Sequence, residues 1–166
     1  MIDFRDGRVD WGDGGRLEAA MRAEVAELYS GLDLNGAAMP AAGPAQLSPP
    51  AGAFLVGYRQ RTPVCCGGIK RLDGVACELK RMYVVPEARG QGVARVLLAA
   101  LEDRARRLGY AVARLDTGPL QAGARHLYES AGYRPIENFN GNPVATFFGE
   151  KSLIDAVPAA AGTDTV

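Results

Sequence analysis

Histidine is all but missing from this chain, which has one, His126, in 166 residues. Cysteine is scarce too: Cys65, Cys66 and Cys77 are an odd number, and two of them are sequence neighbours with poor geometry for a bridge. Three thiols and one imidazole argue against a zinc cluster and against a histidine-activated cysteine nucleophile, so the cysteines read as reduced, buried side chains. An excess of charge is missing as well, since 19 Lys+Arg offset 19 Asp+Glu. That removes the global electrostatic case for nucleic acid or an anionic membrane surface. No run approaches the roughly 18–20 apolar residues of a membrane span. The opening Met1-Ile2-Asp3-Phe4-Arg5-Asp6 has no apolar signal core, so the expectation is a cytoplasmic protein with neither a membrane nor a nucleic-acid partner.

What is present suits one globular domain over residues 1–154: 48% hydrophobic and 23% charged residues. Residues 155–166, small and polar with Pro158, are expected to trail off disordered. Leu17, Met21, Val25 and Leu28 recur on one helix face between about Gly15 and Ser30. Residues 32–52 carry Pro40, Pro44, Pro49 and Pro50 with three glycines, which predicts a long loop, either a mobile insertion or the wall of a site. Ala53 to Arg59, Val64 to Arg71 and Val75 to Val84 read as an antiparallel meander. In the third strand, alternation places Glu78, Lys80, Met82 and Val84 on one face and Cys77, Leu79, Arg81 and Tyr83 on the other. Charges on both faces are unusual for a strand in mid-sheet.

The stretch Leu79 to Leu98 organises the rest: an apolar strand, a turn at Pro86, the loop Arg89-Gly90-Gln91-Gly92-Val93-Ala94, and an amphipathic helix through Leu97, Leu98, Leu101, Ala105 and Leu108 to Gly109. Free backbone N–H groups and the macrodipole at that helix start suit a phosphate, and two glycines let the main chain approach it. Tyr110 to Asp116 follows as a strand parallel to the one before the loop, through a right-handed crossover. A short helix from about Leu120 to Ala131, a strand at Tyr133 to Ile136, a turn-rich connection at 137–143 and a closing strand at Val144 to Ser152 complete the chain.

The blocks Met82-Tyr83-Val84-Val85-Pro86, Arg89-Gly90-Gln91-Gly92-Val93-Ala94 and Ala124-Arg125-His126-Leu127-Tyr128-Glu129-Ser130-Ala131-Gly132-Tyr133 together resemble the GCN5-related N-acetyltransferase (GNAT) superfamily. The resemblance implies its α/β (α+β) fold: a mixed, mostly antiparallel sheet with a central splayed parallel strand pair, flanked by helices. It implies acetyl-CoA as acyl donor, no metal, and transfer to a primary amine of a small molecule, amino acid or peptide in a ternary complex. Two alternatives stay open, a non-catalytic acyl-CoA-binding module and an enzyme directed at a protein or tRNA-borne amine. A homodimer through edge strands is possible in such a fold.

Carried onto this sequence, the resemblance assigns the pyrophosphate to the backbone of Arg89, Gly90, Gln91, Gly92, Val93 and Ala94, and the pantetheine to the main chain of Met82, Tyr83 and Val84. Gln121 stands seven residues before Tyr128, where the family often has an asparagine that bonds the cofactor. Tyr128 resembles the acid that protonates the departing thiolate, against the plainer reading of a core tyrosine. Glu78 resembles the glutamate base of some relatives, acting directly or through water, against the plainer reading of a strand carboxylate paired with a cation. His126, roughly 200° around the helix from Tyr128, reads as a surface residue.

Overall fold

The computed structural model describes residues 1–155. The expected disordered tail lies, apart from Asp155, outside the described residues. Seven strands form one mixed sheet: β1 (Asp3–Asp6), β2 (Ala53–Arg59), β3 (Thr62–Arg71), β4 (Ala76–Val84), β5 (Val112–Thr117), β6 (Arg134–Pro135) and β7 (Phe147–Ser152). They lie in the order β1-β2-β3-β4-β5-β7-β6, and the β4–β5 pair is parallel while the others are antiparallel. Among the described residues three α-helices accompany them, α1 (Gly12–Leu28), α2 (Val93–Arg107) and α3 (Ala124–Ser130).

Each face of the sheet has its own core. Leu97, Leu98 and Leu101 of α2, with Tyr128 of α3, pack on Ile69, Leu79 and Leu115. On the opposite face Leu17 of α1 and Ala42 and Leu47 of the long loop pack on Phe54, Val56 and Cys66. Leu47 is fully buried, so the Pro/Gly-rich stretch lies against the sheet as part of the fold.

Several boundaries differ from the sequence expectation for identifiable reasons. The third helix begins at Ala124 rather than near Leu120, because Gly123 at φ +82° holds a left-handed turn that the helix can only follow. The closing strand begins at Phe147 rather than Val144: the Asn142 side chain accepts the N–H groups of Val144 and Ala145 at 2.9 and 3.2 Å, taking them out of the ladder. At the end of α2 the Tyr110 N–H closes on Ala105 O at 3.0 Å with Gly109 at φ +94°, which delays β5 to Val112.

One difference decides the site. Tyr83 pairs with Cys66 and Lys80 with Gly68, so Arg81 and Met82 together stand opposite the single residue Gly67. This is a β-bulge, and Arg81 takes φ +57° within it. The extra residue resets the alternation. Lys80 shares the α1 face with Gly68, Arg81 reaches Asn35 on that same side, and Met82 packs into the α2 core beside Leu101. Glu78 and Lys80 therefore do not share a face with Met82 and Val84, as unbroken alternation predicted.

Candidate functional site

The ladder between β4 and β5 covers three residue pairs and ends at Glu78↔Arg114. Beyond it the strands diverge, β4 running on through Leu79 to Val84 and β5 through Leu115 to Thr117. The β4 edge that faces the gap has no strand partner there, which opens a V at the carboxyl ends of two parallel strands, the usual place for a ligand in an open α/β sheet. Two openings enter this V from opposite sides of the sheet.

The first is a cleft on the α2–α3 side. It is lined by Met82, Tyr83 and Val84 of β4, by Arg89, Gly90, Gly92, Val93 and Ala94 of the loop and α2, and by Gln121 and Tyr128. The loop leaves a row of backbone donors open. The Arg89 N–H is committed to Pro86 O at 3.3 Å, whereas the N–H groups of Gly90 to Ala94 have no partner among the described residues. Gly90 and Gly92 hold φ of +72° and +77°, and a Cβ at either would meet nothing within 4 Å, so glycine serves the backbone conformation there and leaves the approach open. The Arg89 side chain turns back, donating from Nε to Val84 O at 2.9 Å and from Nη2 to Glu24 Oε2 at 2.7 Å. Gln91 lies off the cleft wall, its Nε2 donating to Glu87 O at 3.1 Å, which leaves its backbone N–H as its group toward the loop's concavity. Gln121 Oε1 accepts from the Gly118 N–H at 3.0 Å and the Thr117 hydroxyl at 3.3 Å. Its amide nitrogen has no protein partner among the described residues.

The second opening is a chamber on the α1 side. Met21 and Val25 of α1, Tyr29 just after its end, and Leu32, Leu34, Met39 and Pro40 of the long loop give it an apolar wall. Lys80, Arg81 and Asp116 supply its charge. Tyr29 also ties the two sides of the mouth: the Leu120 N–H donates to its hydroxyl at 3.1 Å, and any Cβ at Gly118 would collide with it.

Cleft and chamber share Met82, Gln121 and Tyr128. Tyr128 is buried, with its hydroxyl 3.9 Å from Met82 Sδ and no nearer partner among the described residues, so its proton is not committed to an oxygen. Burial, reinforced by the Asp116 charge, pushes the phenol up to about 12. It remains an acid throughout the neutral range.

Glu78 is elsewhere. It is 0% exposed and lines neither opening. Its Oε2 accepts from Asn140 Nδ2 at 2.6 Å, and its Oε1 has no hydrogen-bond partner, with Lys80 Nζ 3.6 Å away. Burial pushes its carboxyl up, against the opposing pull of Lys80 and the Asn140 hydrogen bond. Asn140 also donates to Asp116 Oδ2 at 2.7 Å, and Asn142 Nδ2 donates to the same oxygen at 3.0 Å. The carboxylate at the chamber wall is therefore Asp116, with Glu78 behind it across Asn140. Sequence reasoning placed Asp116 only as the end of a strand. Its position at the carboxyl end of a parallel strand, where the sheet opens, was the signal that marks it.

The family model for the acetyltransferase (GNAT) family matches residues 21–133. The chain belongs to the acetyltransferase (GNAT) family. The α1 wall, the bulged β4, the glycine loop and α3 all fall within the matched GNAT segment. An IAA acetyltransferase of Azospirillum brasilense is 39% identical over 60% of this chain and 67% of that protein. Matches to other curated relatives span 56% to 60% of those proteins' length. Among solved structures, a candidate acyl-CoA N-acyltransferase from Klebsiella pneumoniae is 31% identical with a TM-score of 0.75, covering 93% of this chain and 99% of that one. A GNAT acetyltransferase from Elizabethkingia anophelis, solved with acetyl-CoA bound, shares the fold at a TM-score of 0.63 and 14% identity, over 91% of this chain and 97% of that one. Among the described residues no group of histidine, cysteine and carboxylate side chains is gathered as a metal site, and no helix is long and apolar enough to cross a membrane.

Proposed function

We propose that the chain transfers an acetyl group from acetyl-CoA directly to a primary amine of a small molecule, amino acid or peptide while both are bound. The observation that carries this is the meeting of the two openings at Met82, Gln121 and Tyr128. A donor in the cleft and an acceptor in the chamber would touch at that point and nowhere else.

The residues fit such a donor. Five free N–H groups from Gly90 to Ala94 suit a pyrophosphate at the start of α2, and the unpaired edge of β4 at Met82, Tyr83 and Val84 suits the amides of a pantetheine arm. The Gln121 amide nitrogen is free to donate to the same arm. Acetyl-CoA itself supplies an activated thioester. The amine nitrogen bonds to the acetyl carbon as the carbon–sulfur bond breaks, and the amine gives up one proton. The thiolate takes the Tyr128 proton, which solvent replaces. The Met82 N–H is the donor for the oxyanion.

The proton acceptor on this reading is Asp116 or a water it holds. Glu78, which the sequence suggested for that task, acts behind it through Asn140. A non-catalytic acyl-CoA-binding module would need no carboxylate in a chamber beside the junction, and Asp116 supplies one. An assay of small amines with free-thiol readout tests the reading: acetyl-CoA-dependent thiol release with at least one amine is expected. Tight acetyl-CoA binding with no release from any amine would overturn it.

A further inference from the structure

Arg81 is a nine-tenths buried cation with no carboxylate within hydrogen-bond distance. Its side chain is 5% exposed, and its Nη2 donates to Leu34 O at 3.2 Å and Asn35 Oδ1 at 3.1 Å, both neutral acceptors. Its Nε has no hydrogen-bond partner and stands 3.8 Å from Glu18 Oε1. Glu18 is already engaged, since both of its oxygens accept from Arg22 Nε at 2.9 and 2.8 Å. Lys80 is in a similar state. Its Nζ lies 3.6 Å from Glu78 Oε1 and 3.9 Å from Asp116 Oδ1, both beyond hydrogen-bond distance, with the side chain 11% exposed.

The charges around the chamber match in number but are loosely paired. Lys80 and Arg81 face Asp116 in the wall; Asp33 lies within electrostatic reach of Arg81, Glu18 pairs with Arg22, and Glu78 lies 3.6 Å from Lys80 and within electrostatic reach of Lys70. Neither Lys80 nor Arg81 has a carboxylate within hydrogen-bond distance, in an otherwise apolar wall. Burying a cation with a donor left unpaired is unfavourable. The backbone adds strain to that, because φ +57° is uncommon for a bulky side chain. Both costs fall at the bulge that turns Arg81 from the α2 core to the chamber.

We infer that the acceptor carries a carboxylate as well as its amine: a free amino acid with an uncharged, mainly apolar side chain. Lys80 and the Arg81 guanidinium hold the carboxylate, which takes no part in the bond changes. Met21, Val25, Leu34 and Met39 receive the side chain, and the amine turns to Met82 and Tyr128 beside Asp116. A polyamine would bring further positive charge against Lys80 and Arg81, and a protein lysine brings no carboxylate at this reach. The inference rests on the acetyltransferase reading above.

The test compares leucine, methionine and phenylalanine, each beside its amide and its carboxyl-free amine, at saturating acetyl-CoA with free-thiol readout. At least one acid is expected to exceed both of its analogues by about a hundredfold in kcat/KM, because a site built to bond a charged group rejects analogues that lack it. Arg81→Met and Lys80→Met should each reduce that ratio by about tenfold, with coenzyme A affinity by calorimetry within about twofold of the parent. Where Arg81→Met fails to fold, Lys80→Met decides. Amides and carboxyl-free amines acetylated as well as the acids would overturn the inference and leave the acetyltransferase reading intact. Silence from all nine compounds would overturn the inference, and the reading falls with it only if a wide amine panel is silent too.

Discussion

The cleft and the chamber meet at three residues but are made of different material. The cleft is main chain: a strand edge without a partner, two glycines at positive φ and a helix start with its N–H groups free. The chamber is side chain, and its wall comes from α1, the long loop, the bulge of β4, the end of β5 and the connection before β7. A ligand bound by backbone groups tolerates side-chain change along the wall. A ligand bound by Lys80, Arg81 and Asp116 does not. The cleft is thus suited to a constant partner and the chamber to a selective one.

If the cleft is a backbone device, the largest effect should come from a change that alters backbone conformation and little else. Gly92→Val places a β-branched residue at φ +77°, where a Cβ meets no protein atom within 4 Å. The loop must reshape to relieve the strain of about 1–2 kcal/mol. Calorimetry should show coenzyme A affinity lowered by about a hundredfold or more while the thermal unfolding transition persists, since binding needs several N–H groups aligned together. Unchanged affinity would remove the loop from the cleft's function.

Tyr128→Phe should come next, and it probes the junction between the two regions. The phenol has no oxygen partner to lose, so the fold and acetyl-CoA affinity should hold within about threefold while kcat falls by about 10²–10³-fold. The phenol is held up to about 12, so the neutral acid persists far above its ordinary range and activity should show no loss attributable to it between pH 7 and 10. A falling limb within that window that disappears in Tyr128→Phe would contradict so buried an environment for the phenol.

The same contrast explains what the sequence disclosed. Strand edges, glycine loops and helix starts are local, so Met82 to Val84 and Gly90 to Ala94 were legible as one contiguous stretch. The fold class was legible for a related reason, since strand alternation, helix periodicity and turn residues are each local patterns. The chamber was not. Arg81 reaches it only because a bulge at one residue overturns a period-two pattern that no local signal interrupts. Asp116, Asn140 and Asn142 come together only once β5 and the connection before β7 are in place. The charges on both faces of β4 were a clue without a solution. The bulge places Lys80 and Arg81 on one side, and the oddity disappears.

Asp116→Asn tests whether the chamber's carboxylate acts on the acceptor alone. It keeps the size of the side chain and removes the charge between Lys80 and Tyr128. Turnover should fall by about 10–100-fold, with coenzyme A affinity unaltered and the optimum moved to higher pH as free neutral amine replaces the lost proton acceptor. Equal losses in Asp116→Asn and Glu78→Gln would mean that the two carboxylates act as one unit rather than as wall and backing.

Glu78→Gln should have the smallest effect, and its sign is informative. Burial raises the Glu78 carboxyl above its ordinary value, so the folded protein binds this proton more readily than the unfolded chain. Stability from this group is then fully present below the ordinary carboxylate range and is lost as pH rises through the raised value. The parent therefore holds this buried charge at a cost at pH 8 that it does not bear at pH 4. Glutamine can still accept from Asn140 without carrying the charge. Thermal unfolding should find Glu78→Gln at least as stable as the parent at pH 8, with its relative advantage shrinking as pH falls. A variant much less stable at pH 8 than at pH 4, relative to the parent, would show that Lys80 and Asn140 outweigh burial, and that the charged form of Glu78 holds the chamber's backing together.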